Sequence, residues 1–449
     1  MLDITFIRQH PDLIAKNNQI RHCQVPVGDV IKLDDKRRQL IQDLDERRAL
    51  RNRESQHGGK VSAEKVTELQ AVKAEIKSIE GVLKEVEQKL DGLLVQLPNL
   101  THESVPIGAG ERDNVIHKKW SPDDPQSGEV KNLPFKAKLH AELGKELDLI
   151  DEARGAKIAG ARFWYLKREL VYLEFAIIHY ALDCLRKEGF VPMLPPMVVR
   201  ERAMYGTGFF PADENEIYRL SNPAEISAKG SEAPEVRSSG VIPSWDQGDQ
   251  YLIGTAEVPL AAYHSDEVID VKTPLKYCGF SSCFRREAGA YGKDLKGILR
   301  GHQFDKIEMF IYAREGEAWQ MHEYLQAVAE RFWQSLEIPY QVLLMCSGDI
   351  GAPNAKKYDT EGWLPGERQY RELGSCSNDT DFQARRLNIK YVDEETGEKR
   401  YVHTLNNTYC ALGRTIIAIM ENYQTKEGTI KIPKVLKPYL FGIEEIGPR

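Results

Sequence analysis

The chain has 449 residues, 41% of them apolar and 29% charged, with a net charge of −7 at pH 7. That length predicts two or three domains, and the acidic balance excludes a globally basic nucleic-acid binder, so any nucleic-acid contact must come from a local patch. No apolar run reaches the roughly 20 residues needed to span a bilayer, the start lacks a signal-peptide pattern, and the seven cysteines are odd in number and scattered. These features argue against a membrane span, a disulfide framework and a structural zinc site, and lead us to expect a cytoplasmic protein.

In chain order, Asp3 is placed to cap a first short helix, and Pro11-Asp12 to start a second. Residues 30–53 are almost all helix formers; Leu33, Leu40 and Leu44 share a face that Arg37, Arg47 and Arg51 interrupt. The pattern breaks at Gln56-His57-Gly58-Gly59-Lys60. A further helix is expected to run to about Leu97 and stop at Pro98-Asn99. Its apolar residues Leu69, Val72, Ile76, Ile79, Leu83, Val86, Leu90, Leu93 and Leu97 step by three and four, a heptad seam. Two helices around a Gly-Gly break predict an antiparallel hairpin over about 30–97; an intermolecular coiled coil is the alternative. Lys36, Arg37, Arg38, Arg47, Arg48, Arg51, Arg53 and Lys60 outnumber the local acids, which suits either a solvated helix face or a phosphate-binding surface.

Residues 101–134, rich in Pro, Gly and Asp, read as a linker. The expected division is an N-terminal domain at 1–110, a connector at 111–135 and a second domain at 136–449. The second domain mixes helical and alternating patterns, as in an α+β fold. Residues 156–188 predict one helix with a stripe of Leu166, Leu170, Leu173, Ile177 and Tyr180. Residues 190–196 follow as a proline-containing strand, expected at a sheet edge. Residues 222–249 are polar and aperiodic, a long loop that either overhangs a site or is passive decoration. Residues 281–287 and 303–310 predict two antiparallel strands. The loop between them carries Gly289, Gly292, Gly297, Gly301, Lys293, Lys296 and Arg300. Such a hairpin suits a polyanion, because glycines let backbone approach phosphate and arginine binds it bidentately. No P-loop pattern is present, so a nucleotide would be held differently.

The order Phe284-Arg285-x-Glu287, then Arg300-x-x-x-Phe304-x-x-x-Glu308, resembles motif 2 of the class II aminoacyl-tRNA synthetases. The complete run through His302-Gln303-Phe304 is similar to the seryl-tRNA synthetases in particular. A long helix and a strand ending at Pro196 resemble motif 1. His403 to Gln424, with Arg414 opening an apolar helix, resembles motif 3. Tyr370-Arg371-Glu372-Leu373-Gly374-Ser375-Cys376-Ser377-Asn378 also fits, and the likeness covers nearly the whole chain.

The resemblance implies a helical-hairpin arm and an antiparallel-sheet catalytic domain flanked by helices. It implies ATP-dependent attachment of serine to serine tRNA through seryl-adenylate, with selenocysteine tRNA as a further acceptor to consider. By the same resemblance Arg285 meets the α-phosphate and the serine carboxylate, Arg414 the γ-phosphate, and Glu287 and Phe304 the adenine. Arg300 belongs to the same nucleotide hairpin, while Glu372, Leu373, Gly374 and Ser375 line the ATP site and Glu372 with Ser375 holds Mg²⁺. Serine is implied to meet Thr255, Ala256, Glu257, Glu308, Asn406 and Thr408. Arg37, Arg38, Arg47, Arg48, Arg51 and Arg53 would contact tRNA, and Pro196 would mark a homodimer interface. Glycine at 374 and Asn407-Thr408 depart from the family pattern, and the 222–249 insert is longer than expected. Were Arg414 not a phosphate ligand, it would require a buried carboxylate such as Glu421. Two rival readings are a ligase charging a carrier protein, which would leave the basic arm without a purpose, and an inactive nucleic-acid-binding paralogue, against which stand Arg285, Glu287, Glu372 and Arg414.

Overall fold

The computed structural model describes residues 1–55, 63–220, 242–246, 248–288 and 296–448. Most of the expected insert at 222–249 lies outside the described residues, as do Lys60, Gly289, Gly292 and Lys293. The chain divides into two compact units, one built on Met1–Pro98 and the other on Asn99–Ser231 and Pro243–Arg449.

The first unit is helical. Asp3 caps α1 (Ile4–Gln9) by accepting from the Thr5 amide at 2.7 Å, and Pro11 opens α2 (Pro11–Ile20). The long helices α3 (Val27–Ser55) and α4 (Ala63–Leu94) run antiparallel: Arg47 pairs with Glu75 and Arg48 with Glu80. Of the seam predicted from heptad spacing, Ile76, Val86, Leu90 and Leu97 are buried and Leu69, Val72, Ile79, Leu83 and Leu93 half-buried, with Leu44 buried on the facing helix. Val82, which breaks that spacing, is 38% exposed. The hairpin therefore spends its apolar stripe within one chain.

The second unit is α+β. Its large sheet comprises, in chain order, β1 (Val115–Trp120), β2 (Val191–Met193), β3 (Leu275–Phe284), β4 (Gln303–Ala313), β5 (Tyr340–Leu344), β6 (Lys356–Leu364), β7 (Gln369–Asn378) and β8 (His403–Ala411). Their spatial order is β1-β5-β6-β7-β8-β4-β3-β2. Every neighbour is antiparallel except the edge strand β2, which joins β3 in parallel. The main core lies between this sheet and the helices Glu169–Lys187, Glu315–Ser335 and Leu412–Asn422.

Three expectations are corrected. The 111–135 connector contains β1, which completes the sheet edge beside β5, and the unit boundary falls at 98/99 rather than 110/111. The helix expected over 156–188 is two, Glu152–Ala159 and Glu169–Lys187, separated by Gly160 at φ +102° and a short strand at Tyr165–Leu166. Glu421 is not Arg414's partner: it is fully buried, accepts the His140 and Gly366 backbone amides at 2.9 Å each, and lies 3.1 Å from the His140 ring.

The other ring nitrogen of His140 meets the Ile298 amide at 3.3 Å, so Glu421 ties the Leu412–Asn422 helix to the loop that precedes β4. Glu421→Ala would strand two buried amide donors, each costing about 1–3 kcal/mol. We expect a loss of about 2–4 kcal/mol, read from the denaturant midpoint.

Candidate active site

Strand alternation builds the site. On β4, Ile307, Met309 and Ile311 enter the core, while Phe304, Lys306 and Glu308 line a cleft of about 540 Å³. Two irregularities refine the aim. The β6–β7 register slips between Thr360 and Glu361, and the β8–β4 register between Thr408 and Cys410. Such bulges bend a strand and re-aim its side chains. They bring Gly374 close to Thr408: a Cβ at 374 would lie 2.7 Å from the Thr408 carbonyl oxygen and 3.0 Å from its Cβ. The two departures noted in the sequence thus occupy one space.

One end of the cleft is cationic and aromatic. Arg285 leaves β3 with its Nε donating to the Gly254 carbonyl at 3.2 Å and its guanidinium 5.4 Å from the Phe304 ring centre. Glu287 adopts φ +51°, uncommon for a side chain other than glycine, and takes a 2.7 Å bond from Arg300. Arg414 donates to both the carbonyl of Glu372, at 2.8 Å, and its carboxylate, at 3.2 Å. The Arg414 guanidinium holds the Glu372 carboxyl well below the usual carboxylate range, overcoming the opposing effect of burial. Leu373, Gly374 and Ser375 complete that wall.

The other end is acidic and more enclosed. Glu308 is 2% exposed and lies 2.5 Å from the ammonium of Lys306, which also donates to Thr255 Oγ1 at 2.6 Å. Thr408 donates to Glu308 at 3.2 Å. Glu257 accepts from Gln383 at 2.8 Å. Burial first, then Asp379 and Glu308, push its carboxyl up.

The cleft gathers most of the predicted residues: Arg285, Glu287, Arg300, Phe304, Glu372, Leu373, Gly374, Ser375 and Arg414 at one end, with Thr255, Glu257, Glu308, Asn406 and Thr408 at the other. Ala256 instead packs into an apolar cluster behind the wall. Pro196 is exposed just beyond β2. Sequence reasoning missed Lys306, Lys357 and Asp379. The two-residue period through Phe304 and Glu308 was enough to place Lys306 on the cleft face. Lys357, on β6 opposite Ser377 of β7, and the fully buried Asp379 just beyond β7 depend on contacts that folding creates.

On the arm, Arg37 is held by buried Asp34 at 2.7 Å, while Arg47 and Arg48 bridge to the facing helix, each nearly half exposed. Arg38, Arg51 and Arg53 are exposed.

The raised Glu257 carboxyl makes the ligand-free protein pH-sensitive. Folded Glu257 keeps a proton that the unfolded chain has already released, so this contribution is complete below the ordinary carboxylate range and is lost as pH rises through the raised value. Stability should fall in that window, by up to about 1.4 kcal/mol per pH unit for each proton. Burial also raises Asp379, Glu174 and Asp359 into this window, so Glu257→Gln should reduce the dependence without abolishing it, measured as thermal midpoint against pH from acid to mildly alkaline buffer.

Comparison with known proteins places this geometry. Residues 1–101 match the seryl-tRNA synthetase N-terminal domain, and residues 244–423 match the class II tRNA synthetase core domain of the G, H, P, S and T enzymes. A serine–tRNA ligase of Dictyoglomus turgidum is 43% identical over the full length of both chains. The crystal structure of seryl-tRNA synthetase from Pyrococcus horikoshii complexed with ATP superposes with a TM-score of 0.86 at 40% identity, covering all of both chains. The cytoplasmic serine–tRNA ligase of Naegleria fowleri in complex with AMP gives 0.83 at 33%, covering 100% of this chain and 99% of that one. Full-length identity at this level, shared by both halves of the chain and by its fold, makes this protein a member of the seryl-tRNA synthetase family.

Proposed function

We propose that this enzyme joins serine to ATP as seryl-adenylate and then esterifies the terminal ribose of serine tRNA. The observation that carries this reading is the single cleft with an arginine- and phenylalanine-lined end and an enclosed acidic end. A serine carboxylate oxygen attacks the α-phosphorus, the bond to the bridging oxygen of pyrophosphate breaks, and pyrophosphate leaves. A ribose hydroxyl then attacks the activated carbonyl and AMP departs. No protein nucleophile is needed; positioning and charge stabilisation supply the rate. Arg285 orients the α-phosphate and the incoming carboxylate, and Phe304 stacks on adenine beside Glu287. Arg414 meets the γ-phosphate. Glu372 and Ser375 offer an ionised carboxylate and a hydroxyl, oxygen donors suited to Mg²⁺; the ion would neutralise phosphate charge. Glu308, Thr255 and Thr408 receive the ammonium and hydroxyl of serine.

The enzyme works as a homodimer in this reading. Tyr172 and Phe175 on the Glu169–Lys187 helix are more than half exposed, as are Val191, Leu194 and Phe441. Large apolar side chains in that number fit an interface around Pro196. Among the described residues no helix is long and apolar enough to cross a membrane, and we place the enzyme in the cytoplasm. The domain assignment follows: a tRNA-binding N-terminal domain carrying the arm, and a catalytic domain after it. The arm's arginines reach phosphate, since exposed ion pairs such as Arg47–Glu75 are worth only about 0–1 kcal/mol and yield to a polyanion.

Serine-dependent exchange of labelled pyrophosphate into ATP tests activation directly. Arg285→Ala and Arg414→Ala should each lower that exchange about 10²-fold or more in folded protein; near-normal exchange would refute the ATP assignment. Replacing residues 33–97 by a short linker should preserve exchange and abolish tRNA charging. Full charging by the armless protein would refute the arm's role.

A further inference from the structure

Asp379 sits where β7 ends, fully buried, and three asparagines converge on it. Asn99 donates to its backbone carbonyl at 2.8 Å, Asn354 to its Oδ1 at 2.6 Å, and Asn406 to its Oδ2 at 3.2 Å. Its own amide is tied to the Thr404 carbonyl at 3.0 Å, so the turn carrying it is held on both sides. Asn354 and Asn406 both line the cleft, whereas Asp379 stands behind them. A carboxamide has a donor end and an acceptor end of nearly the same shape, and only its partners decide which end faces where. Burial pushes the Asp379 carboxyl up to about 7, so it is purely an acceptor only above that value, where the ionised carboxylate cannot donate. In this structure Asn406 turns its Nδ2 to the Asp379 Oδ2 at 3.2 Å, the orientation that ionised Asp379 enforces, which leaves Oδ1 for the cleft.

We propose that Asp379 is a positioning residue for amino-acid recognition: by fixing the Asn406 carboxamide it presents a carbonyl oxygen, rather than an amide N–H, to the ammonium or hydroxyl of the substrate. This rests on the assignment of Asn406 to the serine end of the cleft. The consequence is chemical. Serine's ammonium only donates, so a reversed Asn406 would set donor against donor in an enclosed site. Asp379 also lies close enough to Glu257 to raise that carboxyl, which puts it electrostatically within the acidic end.

The test is pyrophosphate exchange by the full-length protein, with KM for serine, KM for ATP and kcat measured separately. Asp379→Asn keeps the shape but can donate to Asn406 Oδ1 and so allows the reversed carboxamide. We expect KM for serine to rise about tenfold or more, with KM for ATP unchanged within about twofold. The double variant Asp379→Asn with Asn406→Asp exchanges the two groups, keeps one N–H to carboxylate bond and leaves an acceptor oxygen for the cleft. It should restore KM for serine to within about threefold of the parent. Parallel rises in both KM values, or a double variant no better than Asp379→Asn alone, would overturn the proposal. Asn406→Ala is the control for the underlying assignment: an unchanged KM for serine there would remove Asn406 from the serine site, whatever Asp379 variants do. Thermal midpoints establish folding first; if Asp379→Asn does not fold, Asp379→Ser, smaller and also able to donate, is read by the same contrast between the two KM values.

Discussion

The two-residue period of the antiparallel sheet is the constraint on which the rest depends. Each central strand must give one face to an apolar core and the other to a polar cleft, and a slip of one residue would exchange them. On β4, such a slip would bury Lys306 and Glu308 under the helices and turn Ile307 and Met309 into the cleft. The core, with Tyr340, Phe332 and Leu405 fully or nearly fully buried, holds the register. The bulges on β6–β7 and β8–β4 then make local corrections that alternation alone cannot supply.

Within that frame the cleft manages a high density of charge by internal pairing. Arg300 meets Glu287, Arg414 meets Glu372, and Lys306 meets Glu308. An unpaired buried charge would cost several kcal/mol, whereas a paired one can be re-paired with substrate. In the function proposed above, a phosphate takes over Arg414 and a substrate ammonium shares Glu308 with Lys306. Away from the cleft, Glu421 and His140 link the motif 3 helix to the motif 2 loop through buried hydrogen bonds.

The arm follows a different logic. Its stability comes from a seam that the heptad spacing already encodes, and its polar face is free to vary. Asp34, buried between Arg8 and Arg37, anchors its base. Towards the tip the cations become exposed and their partners lie on the facing helix, so the charge pattern there is less constrained by packing.

Local patterns were legible because their physics is local. The hairpin seam, the cap at Asp3, the start at Pro11, the proline-bearing edge strand and the β3–β4 hairpin all arise from propensity and period over a few residues. The motif order singles out Arg285, Glu287, Phe304, Glu372 and Arg414, and all five line one cleft. What the sequence could not decide were partnerships across distant strands and loops. It offered Glu421 for Arg414 where folding supplied Glu372, read a connector where β1 closes the sheet, and gave no sign that Asp379 would gather Asn99, Asn354 and Asn406. A residue's type and period are written along the chain, but its hydrogen-bond partner is chosen by which strands and loops the core brings together, and only the tertiary structure holds that information.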